Sequence, residues 1–289
     1  MNKLLTLLLL AAGLTGCIRD NLADCPGLKV TVDVRDRNYF NVDKVDLEER
    51  LPGNLPLKTY APTLSWVIRD AETGETLASD FLAEVTEETP TVDLEFCADC
   101  LPHGRYVLTV WGGLTDVEAL GDDPTSLAFH PGNLPGDDVY MTNDTLLYDA
   151  DHSEYVVDLE RTKGKLIISK ENLPAAISGS RKTVGGLFGA VDAEFAYSGR
   201  TSVSVATALD PSVGQTVTKT VLAPSIEEKG SALALTFPGS GIEAKGVNIT
   251  MKRNELTVLR YVWNPAKRDF DIYVLVNTNW EHVTAMEIL

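Results

Sequence analysis

Four cysteines, four histidines and four methionines are few for 289 residues, and each scarcity excludes something. No histidine has another histidine or a cysteine two or four positions away, and no HExxH occurs, so a histidine-built metal centre has no sequence support. No GxSxG elbow stands before a helix pattern, and no SxxK lies in a suitable setting, which removes the common serine nucleophiles. Gly185-Gly186 and Gly189 do not form GxGxxG, so a dinucleotide loop is absent. Positive charge is also short. Lys and Arg total 25 against 42 Asp and Glu, a net charge of −17. Such a surface repels nucleic acid and anionic headgroups. No apolar run reaches the roughly 20 residues needed to span a bilayer as a helix.

What is present starts at the amino end. Met1-Asn2-Lys3 carries one positive charge, and an apolar run follows from Leu4 to Ala12, interrupted by Thr6. Leu14-Thr15-Gly16 then precedes Cys17. This is the layout of an export signal with small residues at its cleavage site. The small residues before a cysteine are similar to a bacterial lipobox. The expectation is a signal over residues 1–16, an acylated Cys17 and a polar leader over residues 17–27. Several acyl chains hold a membrane far more firmly than one.

Cys25, Cys97 and Cys100 remain. Cys97-Ala98-Asp99-Cys100 has redox CxxC spacing, but it follows a strand pattern and opens no helix of a βαβ unit. Zinc lacks a fourth ligand. A structural disulfide is the better reading, joining Cys25 to Cys97 or to Cys100 and so stapling the first strand to a later turn. Spacing does not choose between them.

Beyond the leader the chain reads as strands. Leu28-Lys29-Val30-Thr31-Val32-Asp33-Val34 alternates apolar with polar residues, the period of a half-buried strand. Residues 64–70 and 76–85 flank a turn at Glu72-Thr73-Gly74 and predict a hairpin. Residues 91–96 and 104–113 continue the series. Short strands without intervening amphipathic helices indicate β-sandwich architecture. Residues 114–148 are rich in Gly, Pro and Asp and read as a long loop, with a short helix near Asp116 to Leu120. The aspartate pairs Asp122-Asp123 and Asp137-Asp138 lack Asp-x-Asp-x-Asp-Gly spacing and read as solvated surface. A basic break over Arg161-Thr162-Lys163-Gly164-Lys165 marks a domain boundary. It divides an N-terminal sandwich, residues 28–160, from a C-terminal one, residues 161–289. Further strands are expected at 155–160, 166–170, 203–208, 215–222, 232–237, 247–252, 255–262 and 270–276. Lys252-Arg253-Asn254 reads as a tight hairpin connection. No cofactor is called for. Trp66 and Trp111 lie within strand patterns and read as core; Trp280 in Asn279-Trp280-Glu281 has no such explanation.

The start Cys17-Ile18-Arg19-Asp20-Asn21-Leu22-Ala23-Asp24-Cys25-Pro26 resembles that of the fimbrial anchor lipoproteins, or minor fimbrial subunits, of Bacteroidales type V pili. Gly104-Arg105-Tyr106-Val107-Leu108-Thr109-Val110-Trp111-Gly112-Gly113 resembles a strand of the same family. So do Leu147-Tyr148, the run from Glu160 to Pro174, and Asn279-Trp280-Glu281. The resemblance implies two tandem transthyretin-like β-sandwiches on an outer-membrane lipoprotein that holds the base of a fimbrium and catalyses nothing. It implies pilin partners joined by strand addition, in which main-chain hydrogen bonds supply strength and side-chain pockets supply register. Stalk pilins of that family are matured by cleavage at an arginine between early strands. Arg35, Arg37 and Arg50 stand in that region here, but an anchor is expected to keep it because it carries the lipid. Asp144-Thr145-Leu146 resembles an O-glycosylation tripeptide with Thr145 as acceptor. The other functional expectation is a surface glycan-binding or adhesive tip lipoprotein, for which an exposed Trp280 is the discriminating feature.

Overall fold

A computed structural model describes residues 27–97, 101–116, 118–121, 124–228, 230–242 and 245–283. These residues form nineteen strands and four single-turn 3-10 helices, an all-β chain. The first eight strands are β1 (Leu28–Val34), β2 (Thr63–Asp70), β3 (Thr76–Glu84), β4 (Val92–Phe96), β5 (Gly104–Gly112), β6 (Ser126–Ala128), β7 (Tyr140–Tyr148) and β8 (Glu154–Arg161). After them come β9 (Gly164–Glu171), β10 (Gly179–Leu187), β11 (Ala190–Asp192), β12 (Tyr197–Ser198), β13 (Thr201–Ala208) and β14 (Gln215–Leu222). The series ends with β15 (Ser231–Thr236), β16 (Lys245–Ile249), β17 (Leu256–Asn264), β18 (Asp269–Val276) and β19 (Asn279–Val283).

Seven of the first eight strands build one sheet in the order β3-β2-β5-β7-β8-β1-β4. β7 meets β8 only at Tyr140–Arg161 and Met141–Glu160. The sheet turns on that short seam, so β1, β4 and β8 face β2, β5 and β7. Their inward residues share one core: Leu28, Val30 and Val32 pack with Leu64, Ile68, Leu108 and Val110. The alternation read in β1 is why: every second residue is buried, and each such Val or Leu contributes about 1.5–3 kcal/mol of burial. The expected β2–β3 hairpin forms. The Asp70 carboxylate accepts hydrogen bonds from the Glu72 and Thr73 amides at 2.9 and 2.7 Å, and Gly74 supplies the positive φ.

The later strands build a four-stranded sheet, β13-β10-β15-β16, and a five-stranded sheet, β14-β9-β17-β18-β19. Leu166, Ile168, Leu259 and Tyr261 of the second sheet pack against Val184, Val203, Leu233 and Val247 of the first. β9 runs parallel to β17, as β1 does to β8.

Two segments cross between these regions. Residues 114–148 are not one long loop. They carry β6, which pairs with β11, and β7. Their Leu114, Leu120, Leu127, Phe129 and Val139 join the core of the later sheets. Burial of apolar residues spaced through the Gly- and Asp-rich text gives this stretch its order. The expected helix there is a single 3-10 turn, Glu118–Leu120. The second crossing segment follows β1. Ile168 faces the core, so Ile167 faces outward, and there Tyr39, Val42 and Val45 cover it together with Leu256 and Val258. This strap is pinned by Asn41, whose amide donates to the Leu256 carbonyl at 2.9 Å and accepts from the Leu256 amide at 2.8 Å. Glu48 adds ion pairs to Lys165 and Lys219, both at 2.6 Å.

Lys252-Arg253-Asn254 is not a hairpin turn. β16 pairs with β15, whereas β17 pairs with β9 and β18, so the turn passes from one sheet to the other. Asn254 is fully buried with φ 52°. Its amide donates to the Lys163 carbonyl at 2.9 Å and its carbonyl accepts from Phe40 at 2.9 Å. Those long-range partners, and not strand pairing, fix its shape.

Candidate functional site

The expected strand addition would need open sheet edges and a stiff body behind them. The described residues supply the edges. β3 and β4 end the seven-stranded sheet, β13 and β16 the four-stranded one, and β14 and β19 the five-stranded one. β3 is nine residues long, with Leu77 and Phe81 exposed at 39% and 45%. It holds Asp80 and Glu84 but no lysine or proline, the residues that usually block edge pairing. Beside β16 lies a cleft of about 670 Å³ running from Phe40 past Ile249 and Leu256 to Val276.

The second requirement is met where the basic break folds. Arg161 is 4% exposed. Its Nε donates to both Asp138 oxygens at 3.0 and 3.1 Å, Nη1 to the Asn254 side-chain oxygen Oδ1 at 2.6 Å, and Nη2 to the Tyr140 hydroxyl. Its guanidinium lies 4.0 Å from the Tyr39 ring centroid, and its backbone amide donates to Asp36 at 2.9 Å. Burial opposes the charge, but Asp138 and the two tyrosines outweigh it and raise the pKa. One side chain thereby joins the strap, the 114–148 stretch, the β8–β9 connection and the β16–β17 turn. Nearby, Lys163 donates to the Asp137 carbonyl at 2.8 Å and sits 5.0 Å from the Phe129 ring. Burial lowers its pKa to about 8.

His130 belongs to the same region. Its Nε2 accepts from the Ala223 amide at 3.0 Å, and its Nδ1 lies 3.1 Å from the Leu134 carbonyl, which can only accept. The ring is therefore the neutral Nδ1–H tautomer. Burial and neighbouring Lys163 lower its pKa to about 4. This is a structural histidine, held by backbone groups.

The residues singled out in the sequence fall in different places. Cys17, Cys25 and Cys100 lie outside the described residues; Cys97 is disulfide-bonded. Thr145 is exposed near the middle of β7, opposite Val107. Arg35 reaches Glu160 at 2.5 Å and Asp158 at 3.3 Å, Arg37 donates to the Val34 carbonyl at 3.0 Å, and Arg50 pairs with Asp43. Asp137 accepts from Thr115 at 2.9 and 2.8 Å and Asp138 holds Arg161; the Asp122-Asp123 pair lies outside the described residues. Trp111 is core, its Nε1 donating to the Pro124 carbonyl at 2.8 Å. Trp66 packs edge-on to Phe96 at 5.0 Å. Trp280 is 39% exposed. Sequence reasoning missed the Arg161 cluster; its one signal was a basic break between two strand patterns.

No protein-family model matches the chain, and no curated protein matches it. Solved structures do. One is a Bacteroides thetaiotaomicron protein described as an adhesin, at 13% identity and TM-score 0.59, covering 91% of this chain and 100% of that one. A second, from the same organism and described as polysaccharide-binding, gives 12%, 0.56, 89% and 98% in the same order. The fimbrial anchor protein Mfa2 from Porphyromonas gingivalis gives 12%, 0.50, 89% and 100%. The chain thus shares, over nearly its whole length, the fold of proteins named as adhesive or fimbrial.

Proposed function

We propose that the chain is a non-catalytic structural subunit of a fimbrium, acting at its base. In this reading Cys17 carries acyl chains that hold the protein on the outer membrane. Residues 28–160 and 161–289 are two transthyretin-like sandwiches in tandem, and Cys25 pairs with Cys97 or Cys100. A pilin joins by strand addition at an open sheet edge, Thr145 carries an O-linked glycan, and tension passes from the pilin through both sandwiches to the lipid. The observation that carries this reading is a fold shared over 89% of the chain with a fimbrial anchor and over 91% with a protein described as an adhesin. The strap and the Arg161 cluster support it, because they join early and late strands through polar contacts that resist being pulled apart.

Deleting the encoding gene and imaging the cells tests the reading. Fimbriae shed into the medium or grown overlong are expected; unchanged, firmly attached fimbriae would refute it. Mass spectrometry of the mature amino end, expected to find acylated Cys17, tests the lipid separately. A second reading, an adhesive subunit at the fimbrial tip, is favoured by one observation: Trp280 is exposed beside a cleft.

A further inference from the structure

The strap covers only part of the outer face of the five-stranded sheet. Between strap residues 44–47 and β19 a cleft of about 180 Å³ remains. Its floor is apolar, made by Val258 and Leu275. Trp280, which pairs in register with Leu275, forms one wall. The other end is a fixed polar grid. Arg260 donates to both Glu171 oxygens at 2.6 and 2.7 Å. Glu171 also accepts from Ser169 at 3.0 Å and from the Gln215 amide at 3.3 Å. The Arg260 guanidinium stands 5.7 Å from the Trp280 ring centroid, so the aromatic wall and the polar grid adjoin.

Charge narrows what fits. The lining charges are Lys44 and Arg260 against Asp46 and Glu171, one cation for each anion. The cleft is electrically neutral on a chain of net charge −17, which selects against phosphates and polyanions as well as against cations. Volume narrows it further. Pockets for drug-sized ligands hold about 300–1,000 Å³, so this one takes a single small ring. A neutral ring with one apolar C–H face for the indole and the Val258–Leu275 floor, and with hydroxyls around its edge for the grid, is a hexopyranose.

We propose that this cleft binds one neutral hexopyranose unit of a glycan, packed against Trp280 and hydrogen-bonded along Arg260, Glu171 and Gln215. The proposal rests on the adhesive reading and does not depend on lipid anchorage. Its test is titration of the purified chain with the methyl glycosides of glucose, galactose and mannose, following tryptophan fluorescence and the indole N–H signals by NMR. At least one sugar is expected to saturate with a Kd around 1 mM, about −4 kcal/mol. Trp280→Ala should weaken binding at least tenfold, and Gln215→Ala severalfold. Melting curves check folding, and Gln215→Ala decides the matter if Trp280→Ala unfolds. No saturable response to any of the three sugars would overturn the proposal, as would affinity equal to that of the parent chain in both variants. Fimbrial attachment is scored on the same variant cells. Fimbriae that stay attached while sugar binding is lost support the cleft, and absence of any sugar response leaves the anchoring reading standing.

Discussion

Lys170 is 2% exposed and Lys182 is 5% exposed, both in the core between the four- and five-stranded sheets. Lys170 donates to the Thr218 hydroxyl at 3.2 Å, and Lys182 to the Thr220 hydroxyl. Among the described residues, no carboxylate accepts from either lysine. Burial lowers both pKa values to about 8, and Lys182 is lowered further by Lys170. The folded state therefore gives up these protons more readily than the unfolded chain, whose lysines keep the ordinary value of 10.5. Between about pH 8 and 10.5 the unfolded state binds more protons, so stability rises with pH across that window. Below pH 8 both states are protonated and the cost of burying the charges stands in full, about 3 kcal/mol per lysine. Above pH 10 the buried tyrosines oppose the gain, since burial raises Tyr39, Tyr140 and Tyr261. Urea unfolding of the parent chain should show stability increasing from pH 7.5 to 9.5. The Lys170→Met/Lys182→Met double variant should rise less steeply, with Lys163 alone left to titrate in that window, and should be more stable at pH 7.5, because apolar replacements of buried ions are often stabilising. A parent slope no steeper than that of the double variant would contradict the argument.

At the scale of elements, what could be read from the sequence followed the physics of strands. β1 and β14 match the expected spans residue for residue, and β2, β3 and β5 to within a residue; β1 alternates buried and half-buried residues, and turn or glycine residues bound β2, β3 and β5. β7, β10 and β19 were not legible. β7 places Thr142, Asn143 and Asp144 in mid-strand, with Asn143 accepting from the Thr109 hydroxyl at 2.7 Å. β10 buries Lys182 and carries the Gly185–Gly186 pair. Their polarity is satisfied by distant partners, which local periodicity does not report. The candidate site divides in the same way. Trp280 was visible because it lacked a core explanation, whereas the Arg161 cluster was hidden because Tyr39, Asp138, Tyr140 and Asn254 come from separate parts of the chain. One glycine shows how tight that crossing is. A Cβ on Gly164 would sit 2.2 Å from the Lys252 carbonyl oxygen and 2.9 Å from that of Glu255. Backbone would have to move, disturbing the bond from the Lys165 amide to Glu255 at 3.0 Å. Gly164→Ala should cost about 1–3 kcal/mol. Gly214→Ala, with open space around its Cβ, should stay within about 0.5 kcal/mol. Equal midpoints in chemical denaturation for the two variants would show that the close approach does not constrain the chain.

Across the whole molecule, the question is whether the regions before and after residue 162 unfold separately. Two sandwiches joined by a bare linker would melt independently. Here the strap lays Tyr39, Val42 and Val45 on Ile167, Leu256 and Val258, β6 pairs with β11, and Arg161 closes the centre. Losing its guanidinium leaves Asp138, Asn254 and Tyr140 without their shared donor, a loss of about 3 kcal/mol for a mostly buried pair. Asn41→Ala removes two hydrogen bonds from the strap, about 1–3 kcal/mol together. The Asn41–Leu256 and Arg161–Asn254 bonds cross between the regions, whereas Asp138 and Tyr140 hold Arg161 within the earlier one, so weakening them should reduce coupling together with the stability of the earlier region. Calorimetry of the parent chain should give one transition whose van't Hoff and calorimetric enthalpies agree. The Asn41→Ala/Arg161→Met variant should split it into two, with the strands after residue 162 and those before it melting apart. Under steady pulling the same variant should yield in two steps where the parent yields in one, which connects the buried junction to the load a fimbrial subunit would carry. Two transitions in the parent chain would mean that the crossing segments do not couple the regions, and force would then have to pass through the chain alone.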